Sequence, residues 1–61
     1  MKSERHQKIL EIIEKKQFVS VSDLAGELFV SEPTVRRDLA FLESDGLIRR
    51  SHGGAASKQG N

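Results

Sequence analysis

Two helical segments joined by almost nothing constrain this chain more than any other feature. The stretch Ser31-Glu32-Pro33-Thr34-Val35-Arg36-Arg37-Asp38-Leu39-Ala40-Phe41-Leu42-Glu43-Ser44-Asp45-Gly46 carries both of its own ends. Ser31 is an N-cap residue, Pro33 falls in the first turn where a missing N–H costs nothing, and Gly46 is a C-terminal stop. Val35, Leu39 and Leu42 recur at helical spacing and define a buried stripe, so the segment from about 32 to 45 is predicted to be a helix. Just upstream, Ser20-Val21-Ser22-Asp23 has capping-box spacing with Asp23 in the usual Glu position. Leu24, Ala25 and Leu28 then form one face of a short helix over 21 to 28. Ala25 is small enough for another helix to approach closely. Phe29-Val30 alone is left as the connector, which makes the pair a helix-turn-helix.

The flanks complete a compact unit. Ser3 is a plausible cap for a helix over 4 to 16, with Ile9, Leu10, Ile12 and Ile13 on one arc and Lys15-Lys16 where cations suit a C-terminus. Phe18-Val19 reads as extended, and so does Leu47-Ile48-Arg49-Arg50. Ser51-His52-Gly53-Gly54 reads as a turn. Pairing the two extended pieces around that turn gives a wing. The expected class is therefore mainly α with a small β-hairpin, a three-helix winged helix-turn-helix. Residues 1–56 are assigned to the domain, with the helix-turn-helix at about 20–45 and the wing at about 47–55. Residues 57–61 are read as a flexible tail or the start of a linker, because Ala55 to Asn61 lacks large apolar side chains.

Composition removes most other functions. At 61 residues the chain holds one domain, too small to enclose a substrate pocket. There is no cysteine, so neither a disulfide nor a thiolate metal site is possible. His6 and His52 have no ligand-spaced partner, no Gly-rich loop follows a strand to open a helix, and no nucleophile–base arrangement is visible. No enzyme, no metal and no cofactor is expected in this domain. No apolar run approaches a membrane span and no signal peptide is evident, which reads as an intracellular protein. The net charge is only +1, so any acidic partner must be recognised by local clusters.

Such a cluster lies on the third helix. At about 100° per residue, Arg37 points away from the buried stripe, alongside Pro33 and Ser44. Arg36 lies on one flank and Thr34 on the other. Two cations near a helix N-terminus oppose its dipole, at about 0.3–1 kcal/mol each. A bound polyanion offsets that cost. A helix entering the major groove tip-first reads bases with its early residues, and arginine offers guanine a bidentate fork. The plainer reading makes Arg36 a solvated residue paired with Glu32, four positions earlier. A second basic group, Arg49 and Arg50, precedes His52-Gly53-Gly54. Strand alternation puts one of these two arginines on the surface shared with the third helix, and the sequence leaves open which.

The run Ser31 to Leu39 followed by His52-Gly53-Gly54-Ala55 resembles the DeoR family of bacterial transcription regulators. The likeness continues upstream in Arg5, Ile9, Val19, Leu24-Ala25, Leu28 and Val30-Ser31, covering about residues 3 to 56. It implies a winged helix-turn-helix that binds double-stranded operator DNA, usually as a repressor of sugar or nucleoside catabolism genes in the bacterial cytoplasm. Carried onto this sequence, the DNA-binding set is Ser31, Glu32, Pro33, Thr34, Arg36, Arg37, Arg49, Arg50, His52, Gly53 and Gly54. The likeness further implies a longer, homo-oligomeric parent whose C-terminal domain senses a phosphorylated sugar, with this chain as the excised DNA-binding domain. A winged helix used for protein–protein contacts is the competing reading. RNA binding has little support, since no aromatic platform is present to stack unpaired bases.

Overall fold

The computed structural model describes residues 3–58. Helix α1 (Glu4–Lys16), strand β1 (Phe18–Ser20), helix α2 (Val21–Leu28), helix α3 (Glu32–Ser44), and strands β2 (Ile48–Ser51) and β3 (Gly54–Ser57) follow in that order. Each helix begins where a serine hydroxyl satisfies an otherwise orphaned amide. Ser3 Oγ accepts from His6 N at 3.2 Å, Ser20 Oγ from Asp23 N at 3.0 Å and Ser31 Oγ from Thr34 N at 3.4 Å. Gly46, at φ +78°, releases the chain from α3 one residue beyond its Asp45 cap.

The turn between α2 and α3 is tight although it contains no glycine. Phe29 takes the left-handed conformation, φ 58° and ψ 44°, and its N–H bonds to Ala25 O. A side chain in that region costs about 1–2 kcal/mol relative to the right-handed form. Phe29 does not recover it by burial, since it is 92% exposed.

Ten apolar residues from all three helices and all three strands make one core: Ile9, Ile13, Val19, Val21, Leu24, Val35, Leu39, Leu42, Ile48 and Ala55. The α3 stripe of Val35, Leu39 and Leu42 is fully excluded from water. Each large aliphatic side chain so buried contributes about 1.5–3 kcal/mol.

The sheet departs from the sequence expectation. Phe18-Val19 and the strand after α3 do not pair with each other. The strand order is β1-β3-β2, all antiparallel, with Gly54–Ser57 between them. Ala55, Ala56 and Ser57 are therefore strand, not tail, and the wing extends through Ser57; the remainder of the expected tail, 59–61, lies outside the described residues. A Cβ at Gly54 would meet Val19 O at 2.4 Å and Phe18 Cζ at 2.8 Å. At Gly54 the missing Cβ is the condition for close approach of β1 to β3.

Candidate nucleic-acid interface

Residues of α3 present three faces. Val35, Leu39 and Leu42 point into the core. Opposite them, Arg37 is exposed and, among the described residues, engages no other group. By helical rotation of about 100° per residue, the short side chains of Pro33, Ala40 and Ser44 border it on one side of that outward face, and Phe41, 41% exposed, borders it on the side towards α1. Arg37 is thus the long cation at the centre of this face.

The two flanks of the face are occupied differently. On one, Arg36 donates from Nη2 to Glu32 Oε1 at 3.2 Å, both side chains about half exposed. Glu43 lies on the same flank two turns later and accepts from the backbone N–H of Arg50 at 3.1 Å. Arg36 therefore stands on the wing side of α3. On the other flank, Thr34 shares a 3.0 Å hydroxyl contact with Ser31, and Phe41 stacks on the His6 ring of α1 with centroids 4.9 Å apart and 21° between planes.

Asp38 sits at the edge of the core beside Phe41 and is the one buried charged residue among those described, 6% exposed. Arg5 reaches it with both Nε and Nη2, the latter at 3.1 Å, and His6 Nε2 lies 3.1 Å from Oδ1. Burial by itself pushes this carboxyl up. The hydrogen bonds from Arg5 and His6, with their charges, outweigh burial and hold it below the ordinary carboxylate value. The Arg5 guanidinium is raised in return, chiefly by its hydrogen bond to Asp38. Sequence analysis gives Asp38 no partner. The pairing spans 33 residues, beyond any local pattern. The signal available was an ionisable residue bordering a buried stripe, which must find a partner.

Alternation along β2 decides between the two wing arginines. Ile48 is buried, Arg49 exposed and Arg50 half-buried. Arg50 shares the inner side of the sheet with Ile48, next to α3, and its Nε donates to Gly54 O at 3.2 Å across the hairpin. Arg49 pairs in register with Ala56, itself opposite Phe18, so it belongs to the outer side, away from α3. Glu43, where the wing meets α3, is six residues past Arg37, about 9 Å along the axis. The helix tip and the wing are thus two separate groups within reach of one duplex.

The hairpin turn is short. Ser51 and Gly54 are paired, leaving His52 and Gly53 at the tip, both exposed. Gly53 takes φ +77°, and its carbonyl accepts from Val21 N at 2.9 Å, which ties the turn to the start of α2. Gly54 is buried; its missing Cβ serves the sheet, while His52 and Gly53 face outward. Ser31, Glu32, Pro33, Arg36 and Arg37 are likewise exposed, and Thr34 is partly so. Among the described residues no cluster of His, Cys, Asp and Glu is arranged to hold a metal, and no helix is long and apolar enough to cross a membrane.

A helix-turn-helix whose second helix presents an unengaged arginine, backed by a three-stranded antiparallel sheet, defines a winged-helix fold. Residues 5–60 match the DeoR-like helix-turn-helix domain, and the chain belongs to that family. It is 51% identical over 53 residues to the glycerol-3-phosphate regulon repressor of Haemophilus influenzae, covering 87% of this chain and 21% of that protein. It is 49% identical over 53 residues to the putative galactitol utilization operon repressor of Escherichia coli, covering 87% of this chain and 47% of that protein. The lactose phosphotransferase system repressor of Lactococcus lactis is 43% identical over 54 residues, 88% of this chain and 21% of its own length. The chain thus spans from about a fifth to about half the length of these relatives. No solved structure matches it.

Proposed function

We propose that this chain reads double-stranded operator DNA for a transcriptional repressor of sugar catabolism. The observation that carries the reading is Arg37, exposed and unengaged at the crest of α3, beside a capped helix tip. Arg37 and Thr34 probe base edges in the major groove, with Arg36 beside them on the wing flank. Ser31 and the Glu32 N–H, the first-turn amide that is neither capped by Ser31 nor missing as at Pro33, meet a phosphate. Arg50 and the His52-Gly53 tip hold the backbone alongside. Membership of a family whose relatives are named as repressors of glycerol-3-phosphate, galactitol and lactose systems supports both the target and the sign of regulation.

Operators of this kind are read as paired half-sites, so the parent protein acts as a homo-oligomer, and a phosphorylated sugar bound elsewhere in it sets its occupancy of DNA. The domain itself works without a cofactor and catalyses nothing. Its target places it in the bacterial cytoplasm, with the chromosome. Selection of bound sites from random duplexes, using a dimerised form of the chain, tests the proposal. A recurrent half-site whose affinity falls steeply with salt is the expected result. Binding that is indifferent to both sequence and salt contradicts it, and favours a protein-contact role instead.

A further inference from the structure

We infer that Asp38 is a positioning residue for DNA reading: gripped by Arg5 and His6, it sets the angle at which α3 presents Arg37. The inference rests on the operator-reading role proposed above. Its physical basis is a division of labour on α3. The stripe of Val35, Leu39 and Leu42 supplies burial, and burial is non-directional. A helix held by that stripe alone can roll about its axis while keeping most of its apolar surface covered. Rolling does not change stability much, but it swings a side chain as long as that of Arg37 away from a given base edge.

The Asp38 cluster opposes such a roll because its contacts are directional. Arg5 bonds both carboxylate oxygens in a fork, and His6 adds a third bond to Oδ1. Charge-assisted, bidentate bonds of this type carry tight angular preferences. The three bonds come from two successive residues in the first turn of α1, whose own start is pinned by Ser3 Oγ. Phe41, one turn beyond Arg37 on α3, lies flat against His6, so the same turn of α1 touches α3 at two heights. The backbone of α3 runs closest to α2 and β2, and the Asp38 cluster adds a directional side-chain tie to α1 beside the shared apolar core. A pair with a buried Asp38 and a 40% exposed Arg5 is a poor source of net stability, because desolvation of the carboxylate consumes much of the attraction. Its place one residue from Arg37 fits an orienting role better than a stabilising one.

The test uses the 61-residue chain with Asp38→Asn and, separately, Arg5→Lys. Asparagine keeps the shape but loses the charge; lysine keeps the charge but loses the fork. Binding is measured to a duplex selected by the parent chain and to a random-sequence duplex of equal length, with circular dichroism to record the folded fraction. Asp38→Asn is expected to weaken binding to the selected duplex about tenfold or more, the scale of a misplaced bidentate base contact. Binding to the random duplex should change less than about twofold, because phosphate contacts carry no sequence information. Arg5→Lys should lose part of the same discrimination while remaining folded, and it decides the matter if Asp38→Asn unfolds. Equal losses on both duplexes, or an unchanged ratio in a folded variant, overturn the positioning role. A parent chain that shows no sequence preference at all removes the operator-reading role instead, and the two failures are told apart by the parent alone.

Discussion

The chain contains two adjacent arginine pairs, one on a helix and one on a strand, and the structure treats them differently. On α3, Arg36 and Arg37 are separated by about 100° and both remain on the solvent side. Arg36 is paired with Glu32, while Arg37 is left unengaged. On β2, Arg49 and Arg50 point to opposite sides of the sheet, and the one nearer α3 is held by Gly54 O. In each pair one guanidinium is committed inside the molecule. On the helix, the uncommitted one stands on the solvent-facing crest of α3. On the strand, the uncommitted one faces away from α3. Only the helical pair keeps a spare fork for a base edge; the strand pair offers a backbone contact at most.

The largest effect is expected in the strand half of the molecule. Gly54→Ala places a Cβ against the Val19 carbonyl, at 2.4 Å. Backbone cannot retreat as a side chain can, so we expect a loss of about 3 kcal/mol, at the upper end for overpacking, read as a lower urea midpoint. An unchanged midpoint would mean that β3 does not pass this close to β1. Next comes Arg37→Ala, expected to cost about 1–3 kcal/mol on the selected operator and to relax preference at one base position. A loss of the same size on every sequence would make Arg37 a phosphate contact. Arg36→Ala should cost less, about 0.5 kcal/mol or below in thermal stability, since exposed pairs four residues apart are worth little. If its effect on operator binding equals that of Arg37→Ala, the asymmetry within the helical pair is wrong. The smallest effect belongs to Arg49→Ala. We expect base preference unchanged and the slope of affinity against salt the same, because the outer face of the sheet lies away from α3. A slope reduced by about one ion would bring that face onto the DNA.

The elements themselves were largely legible. Caps at Ser3, Ser20 and Ser31 and the stop at Gly46 mark the helices in sequence, and α1, α2 and α3 begin and end within a residue of the expected positions. These signals are local, each a side chain answering an amide three residues away. The strand order was not legible. Ala55, Ala56 and Ser57 carry no apolar alternation strong enough to announce a strand, and their pairing with β1 and β2 is long-range. Nor do local patterns give the conformation of Phe29, left-handed in a tight turn with its ring in water, or the stacking of Phe41 on His6 of α1. For the interface, the exposure of Arg37 followed from helical rotation alone, whereas the inward bias of Arg50 required knowing which side of the sheet meets α3.

The sequence by itself determined where each helix starts and stops and which face of α3 turns outward, because both depend on residues within one or two turns of each other. Only the tertiary structure decided that Arg5 and His6 close on Asp38 and that Gly54–Ser57 slides between two other strands. Those outcomes depend on charges and backbones brought together from opposite ends of the chain, where burial makes an unpaired carboxylate costly and leaves no room for a Cβ.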